Sequence, residues 1–174
     1  FDVAAIRAVA RATNADALRA VTALIGGDVF PLQQGYMRTV MSEAEAEEFA
    51  RPLEGNLLMA APDAVRKDIL FPPREGGDFV ASLFATTGSW DAVNRAYERP
   101  PASTEQVLHP DKYLLAEAPV WLAVPDVSER IGKGWAQIRT DTMGEFLLRT
   151  YLETHLDEAD AARAAAGWGG DAFS

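Results

Sequence analysis

Two ionisable residues, Glu105 and His109, have the side-chain types and the four-residue spacing that metal binding or proton transfer would require. Ser103 and Gln106 form a capping-box pattern that predicts a short helix through this segment. Residues four apart lie on one face of a helix, where the two side chains could share a metal ion or a proton. The same spacing also occurs in helix-surface pairs and beside histidines that bond a neighbouring carbonyl. A structural role for Glu105 and His109 therefore stays open.

Other catalytic patterns are missing from the sequence. The chain has no cysteine, which excludes disulfides, thiol catalysis and cysteine-bound zinc. It contains no HExxH pair, no G-x-S-x-G turn, no phosphate loop and no dinucleotide fingerprint. His155 follows Glu153 at the end of a predicted helix, where a cation stabilises the helix dipole. No complete catalytic site is predicted.

The composition indicates one acidic domain. The chain has 174 residues, of which 48% are hydrophobic, enough for a sizeable core, and a formal net charge of −10. Nucleic acid and anionic membrane surfaces are disfavoured partners, because both attract clustered Lys and Arg. The apolar runs are far shorter than the roughly 20 residues that span a bilayer. A protein or peptide is the expected partner, and the oligomeric state is not readable from the sequence.

Hydrophobic spacing and capping residues predict a mainly α-helical fold of about eight helices. Asn14 is expected to cap the second helix, which Gly26 and Gly27 weaken and Pro31 kinks or ends. A helix that begins at Asp63 is expected to stop before Pro72 and Pro73, with a separate one over 79–86. Ser42 with Glu45 predicts the start of an acidic helix that runs to about Ala50.

A short β-hairpin is predicted late in the chain. The segments 120–124 and 135–140 are rich in β-branched and aromatic residues, and glycines lie between them. Aromatic residues at several positions could line a cleft, although such residues are more often part of a core. These residues are Trp90, Tyr97, Tyr113, Trp121 and Trp135.

Four separated stretches resemble one family. They are Thr22-Ala-Leu-Ile-Gly-Gly-Asp28 with Gln33 and Gln34; Trp90-Asp-Ala-Val-Asn94 through Tyr97 with Pro100-Pro-Ala-Ser-Thr-Glu-Gln-Val-Leu-His-Pro110 and Lys112-Tyr113; Met143-Gly-Glu145; and Gly167-Trp-Gly-Gly-Asp171. Together they are similar to the bacterial zinc-metallopeptidase-like proteins whose upstream helix carries an H-E-L-T-H-A-L-Q-D-Q motif. S-T-E-Q-x-L-H-P and G-W-G-G-D are the most specific of these matches.

The resemblance implies that residues 1–174 form one metallopeptidase-like helical domain, similar to the helical part of a zincin. It places the H-E-x-x-H motif before Phe1 and further strands after Ser174, so that the chain corresponds to the middle portion of such a protein. It also implies an extracytoplasmic location, in the cell envelope or secreted. The matched motifs suggest a cleft formed by Asp28, Ser103, Thr104, Gln106, Tyr113, Trp168 and Asp171.

One departure from the family pattern shapes the functional prediction. Where the family shows A-L-V-E-G-D, this chain has Gly26 in place of the Glu that is the natural third zinc ligand. We therefore expect a non-catalytic relative that serves as a binding or assembly subunit and needs no cofactor. One alternative is an active zinc hydrolase in which Glu105 or His109 replaces the lost ligand. The other is a purely structural interaction domain.

Overall fold

The mainly α-helical fold is confirmed by a computed structural model, which describes residues 1–45 and 57–174. None of the helices in these two ranges is long and apolar enough to cross a membrane. The helices are α1 Val3–Thr13, α2 Ala15–Val40, α3 Leu57–Ala60, α4 Asp63–Thr87, α5 Asp91–Glu98, α6 Thr104–Leu108, α7 Pro110–Leu114, α8 Ser128–Ile131, α9 Gly144–Leu152 and α10 Glu158–Ala165.

The long helices α2 and α4 pack on each other through glycines. A Cβ on Gly27 would overlap the backbone of Gly76, and a Cβ on Gly76 would overlap the carbonyl of Ala23. A Cβ on Gly26 would lie 2.6 Å from the Cβ of Pro72. The glycines therefore allow close contact between two helix backbones, which larger residues would hold apart.

The predicted helix end before Pro72 and Pro73 is wrong, and of the two outcomes predicted for Pro31, a kink or an end, the helix does not end there. α2 continues through Gly26, Gly27 and Pro31, and α4 continues through Pro72 and Pro73. Each proline removes one backbone hydrogen bond, but its fixed φ is compatible with a helix. Gly26 packs against Pro72 in the contact between the two helices, and Phe71 beside it is buried in the core. We infer that this long-range packing compensates for the lost bonds.

The main hydrophobic core lies between α2, α4, α5, α6 and α9. The ring centroids of Phe71 and Phe146 are 4.2 Å apart, and those of Phe79 and Tyr113 are 5.2 Å apart. Such aromatic contacts add stability beyond the burial of their area. The core also includes Leu24, Val80, Leu83, Val93, Ala96, Tyr97 and Val107.

The local capping predictions are confirmed. The side chain of Asn14 accepts a hydrogen bond of 2.7 Å from the amide of Ala17 at the start of α2. The Glu45 carboxylate accepts bonds from both the amide and the hydroxyl of Ser42, at 2.8 and 2.7 Å. The predicted continuation of that acidic helix to Ala50 falls largely on residues 46–56, outside the described ranges.

The predicted β-hairpin is wrong, because residues 120–124 and 135–140 carry no strand pairing. Between residues 115 and 140, eight large apolar side chains are exposed: Leu115, Val120, Trp121, Leu122, Val127, Ile131, Trp135 and Ile138. An isolated two-stranded hairpin is marginal without a layer that covers one face, and none of the described helices supplies that layer. Within the described residues, one isolated antiparallel bridge joins Asp141 and Phe173 instead. Trp121 and Trp135 are exposed, so the interpretation of these two residues as part of a core is wrong.

Candidate functional site

A cluster of charged side chains lies where α6, α7 and α9 meet. The hydroxyl of Ser103 caps α6 by accepting from the amide of Gln106 at 3.4 Å, which places Glu105 in the first turn. His109 lies between α6 and α7, because Pro110 begins the next helix. Glu145 lies in the first turn of α9. We call Glu105, His109, Lys112 and Glu145 the charged cluster.

Each acid of the charged cluster has its own basic partner. Nε2 of His109 lies 2.8 Å from Oε1 of Glu145, and Nζ of Lys112 lies 2.5 Å from Oε1 of Glu105. The ammonium of Lys112 also pairs with Glu117 at 3.0 Å. The Glu105 and Glu145 side chains are only 2% and 3% exposed, whereas the His109 side chain is 32% exposed. Solvent therefore reaches the imidazole but not the two carboxylates.

The electrostatics of Glu145 favour a proton on this buried acid. Burial raises the pKa of Glu145, the hydrogen bond from His109 opposes that rise, and the charge of nearby Glu105 adds to it. Oε2 of Glu145 is buried and has no hydrogen-bond partner in the structure. The hydrogen bond to Glu105 raises the pKa of Lys112, which keeps the ammonium charged. The imidazole of His109, which is 32% exposed, thus lies between solvent and the buried carboxyl of Glu145.

The two predicted metal ligands, Glu105 and His109, are held by different partners. Glu105 is bound by the ammonium of Lys112, and the Nε2 atom of His109 is bound to Glu145. Over the residues that the structure describes, no group of three or more His, Asp or Glu side chains is placed to hold a metal ion. Glu105 and His109 thus lie in one cluster, as their spacing predicts, but they bind different partners.

A second polar network joins α2, α6 and α9 around Asp16. Its Oδ2 accepts from the amide of Thr104 at 3.0 Å, and its Oδ1 accepts from the hydroxyl of Thr104 at 2.6 Å. The same hydroxyl accepts from the amide of Phe146 at 3.1 Å. Burial raises the pKa of Asp16 to about 6, although the bonds from Thr104 oppose the rise. Thr104 therefore links three helices through one side chain.

Asp171 closes this network from the C-terminal end of the chain. Its carboxylate accepts from the amides of Met143 and Gly144 at 2.7 and 2.9 Å, and from the indole of Trp168 at 2.7 Å. Gly144 has φ +81, and a Cβ there would overlap the carboxylate of Asp16. The Met-Gly-Glu and Gly-Trp-Gly-Gly-Asp motifs thus hold the start of α9 in place.

The seven predicted cleft residues lie in three different places. Thr104, Trp168 and Asp171 belong to the Asp16 network, and Ser103 caps α6 beside it. Asp28 accepts a hydrogen bond of 2.8 Å from the hydroxyl of Tyr97, whose pKa is raised by burial and by this bond. Gln106 and Tyr113 line a separate cavity next to α5.

Sequence reasoning missed the partners that complete both networks. Asp16, Lys112 and Glu145 were not predicted as site residues, although Lys112 and Glu145 lie inside the quoted motifs. Lys112 lies seven residues after Glu105 and carried a signal that a search for ion pairs could have used. Asp16 lies 88 residues before Thr104 and gave no local signal.

An apolar groove runs between α1 and the segments that follow α5 and α7. Its volume is about 490 Å³. One wall is α1, the floor includes Ala17 and Val21, and the other wall includes Pro101 and Trp121. Glu98 is the charged residue among those that line it. We call this the α1 groove.

Comparison of the chain with models of protein families, with curated proteins and with solved structures found no match. The resemblance to zinc-metallopeptidase-like proteins therefore stays a prediction from the motifs. A functional assignment has to rest on the charged cluster, the Asp16 network and the surfaces described above.

Proposed function

We propose that this chain is a non-catalytic binding or assembly module that takes an amphipathic helix of a protein partner into the α1 groove. The observation that carries the proposal is the groove itself, an apolar channel of about 490 Å³ at the surface of the described chain. It adjoins the segment 115–140, in which eight large apolar side chains are exposed. Contiguous exposed apolar surface of this kind marks sites of protein association.

The shape of the groove suits a helix. Ile6, Val9, Ala10 and Thr13 lie along one side of α1 at spacings of three and four residues. Val9 is exposed, and Trp121 on the opposite wall is 70% exposed. A partner helix with apolar residues at matching spacing would bury both side chains, as in other helix-in-groove complexes.

Charge favours a partner with basic flanks. The charged residue that lines the groove is an acid, Glu98, and Asp28 lies beside Tyr97 at the same end. The whole chain carries a net charge of −10, which attracts a cationic segment and speeds its encounter. The expected occupant is therefore an apolar helical stripe bordered by Lys or Arg.

The position of Gly26 supports a non-catalytic role within the resemblance. A Cβ at this position would already lie 2.6 Å from Pro72. A glutamate ligand at position 26 would force α2 and α4 apart. The change from Glu to Gly thus accompanies a helix contact that leaves no room for the family's acid.

Site-specific photo-crosslinking in the native host tests the proposal. The probe p-benzoylphenylalanine replaces Val9 in the groove or, as a matched control, Ile69 on α4. Both are exposed aliphatic residues on helices, and Ile69 lies outside the groove. We expect crosslinks from position 9 to an amphipathic, basic-flanked helix of another protein and none from position 69.

Three outcomes would overturn the proposal. Crosslinks from position 9 to a second copy of this chain would make the groove a self-association face. Crosslinks to another segment of the same chain would make it an internal packing surface. No crosslink, or equal crosslinking from positions 9 and 69, would leave a purely structural domain as the better interpretation.

A second candidate function, zinc-dependent hydrolysis, is favoured by the unpartnered Oε2 atom of Glu145 beside His109 and Glu105. It requires an H-E-x-x-H segment outside this chain. Elemental mass spectrometry of the intact native protein separates the two functions. We expect far less than one zinc per chain, even after incubation with zinc. About one zinc per chain that is lost in a Glu105→Gln, His109→Ala variant would favour the hydrolase instead.

A further inference from the structure

A second cavity lies on the other side of the wall that bounds the α1 groove. It has a volume of about 410 Å³, within the range of roughly 300 to 1,000 Å³ that small-molecule sites occupy. Pro100, Ala102 and Ala118 line both cavities and separate them. The apolar lining of the second cavity includes Leu83, Ala92 and Leu114.

Two arginines give this cavity its charge. Arg95 lies in the last turn of α5, and Arg99 follows the helix four residues later, so that both side chains line the cavity. Like charges at this spacing repel each other. Within the described ranges 1–45 and 57–174, neither guanidinium makes an ion pair or a side-chain hydrogen bond. Both residues are exposed, so their charges are solvated but not paired, in a chain with ten more acids than bases.

The other polar side chains of the cavity are already engaged. The hydroxyl of Tyr113 donates to the carbonyl of Arg99 at 2.8 Å. Gln106 donates to the carbonyl of Glu117 at 2.6 Å and accepts from the amide of Ala102 at 2.7 Å. Thr86 donates to the carbonyl of Leu83 at 2.6 Å. The two guanidinium groups are therefore the side chains with hydrogen-bond donors to offer a ligand.

The charges near Tyr113 agree with this picture. Burial raises the pKa of Tyr113, and the positive charges of Arg99 and Arg95 oppose that rise. The two guanidinium groups thus lie close enough to the cavity to act on a group inside it. The helix dipole of α5 favours a cation at both positions, because Arg95 lies in the last turn and Arg99 is the C-cap.

We propose that this cavity binds a small organic acid, with its carboxylate on Arg95 and Arg99 and its apolar body against Leu83, Ala92 and Leu114. Guanidinium groups match carboxylates in geometry and form charge-assisted hydrogen bonds with them. The apolar lining disfavours small inorganic anions, because they have no apolar surface to bury against it. This site is independent of the partner helix in the α1 groove.

Calorimetric titration of the full chain at constant ionic strength tests the proposal. The probes are 3-phenylpropionate, the neutral 3-phenylpropanamide and inorganic phosphate. We expect one-to-one binding of the acid. The amide lacks the negative charge and phosphate lacks the apolar body, so each should bind at least about tenfold more weakly. The Arg95→Met, Arg99→Met double variant should lose at least about tenfold in affinity for the acid.

Arg130→Met is the matched control, because Arg130 is another arginine that lies outside this cavity. Its affinity for the acid should equal that of the unaltered chain, and circular dichroism checks that all variants keep their helix content. The proposal fails if the chain binds no acid, if acid and amide bind equally, if phosphate binds as tightly as the acid, or if the double variant binds as the control does.

Discussion

Phe79 on α4 and Ile138 in the segment before α9 are both large apolar side chains, yet Phe79 is fully buried and Ile138 is 97% exposed. Phe79 lies between helices that pack around it from several directions. Ile138 lies in a segment that carries no strand pairing and that no described helix covers. Apolar character alone therefore does not decide burial, which also requires a neighbouring element.

The two regions also differ in how they use polar groups. In the packed region, Asp16, Thr104 and Glu105 are buried and bonded to other helices. In the segment 115–140, the bonds are mostly local, such as those from Ser128 to Asp126, and they hold a turn rather than a core. Polar groups thus tie helices together in the packed region, whereas in the exposed segment they mainly hold local turns.

Truncation of one apolar side chain in the packed helices and one in the segment 115–140 should give the largest difference in stability. Phe79→Ala should lower the free energy of unfolding by about 4 kcal/mol, because it removes buried contacts and leaves a cavity. Ile138→Ala should change it by no more than about 0.5 kcal/mol, because that side chain is in water in both states. Urea denaturation measures both. A large loss for Ile138→Ala would mean that the segment is covered within the chain itself.

The helix contact can be tested with two adjacent glycines of α4. Gly76→Ala should cost about 3 kcal/mol, because its Cβ would overlap the carbonyl of Ala23 and push α2 away. Gly77→Ala has nothing within 4 Å of its Cβ and should stabilise the helix by about 0.5 to 1 kcal/mol. The melting temperatures of the two variants should shift in opposite directions from that of the unaltered chain. Equal shifts would contradict close backbone contact at Gly76.

The Asp16 network predicts a pH dependence of stability. Since the pKa of Asp16 is raised to about 6, the folded chain holds this proton more tightly than the unfolded chain, whose aspartates titrate near pH 4. The contribution of Asp16 to stability is then greatest below about pH 4 and is lost as the pH rises through 6.

Asp16→Asn removes that dependence. From pH 4 to pH 8, the free energy of unfolding of Asp16→Asn should rise by roughly 2 to 3 kcal/mol relative to that of the unaltered chain. Chemical denaturation of both proteins over this range measures the change. A difference that stays constant with pH would show that Asp16 does not titrate in this range.

In the charged cluster, replacement of the two acids is expected to lower stability by different amounts, and this difference is smaller than those above. Glu105→Gln should cost about 2 kcal/mol at neutral pH, because it removes the buried partner of Lys112, which keeps Glu117. Glu145→Gln should change stability by less than about 1 kcal/mol, because the amide can keep the bond to His109 and no charge is buried. Denaturation at pH 7.5 measures both. A greater loss for Glu145→Gln would show that its negative charge stabilises the fold.

Much of the local structure could be predicted from the sequence. The caps at Asn14, Ser42 and Ser103 are correct, because donor and acceptor lie within one turn of each other. The helix end assigned to Pro72 is wrong, because a proline disfavours a helix locally while contacts from a distant helix can outweigh that cost.

The candidate site was predictable only in part, for the same reason. The spacing of Glu105 and His109 places them in one cluster, but their partners Lys112 and Glu145 come from other helices. The expected single cleft is divided, because Asp28, Tyr113 and Asp171 lie on elements that fold toward different sides. Spacing along the chain does not report which side an element faces.

The sequence by itself determined the helical class, the capped helix starts, the lack of disulfides and the acidic charge, because these follow from composition or from residues within one turn. Only the tertiary structure decided that Gly27 and Gly76 join two helices, that Asp16 binds Thr104 across 88 positions, and that the segment 115–140 stays uncovered. These features depend on which distant elements meet, and that is set by the packing of the whole chain.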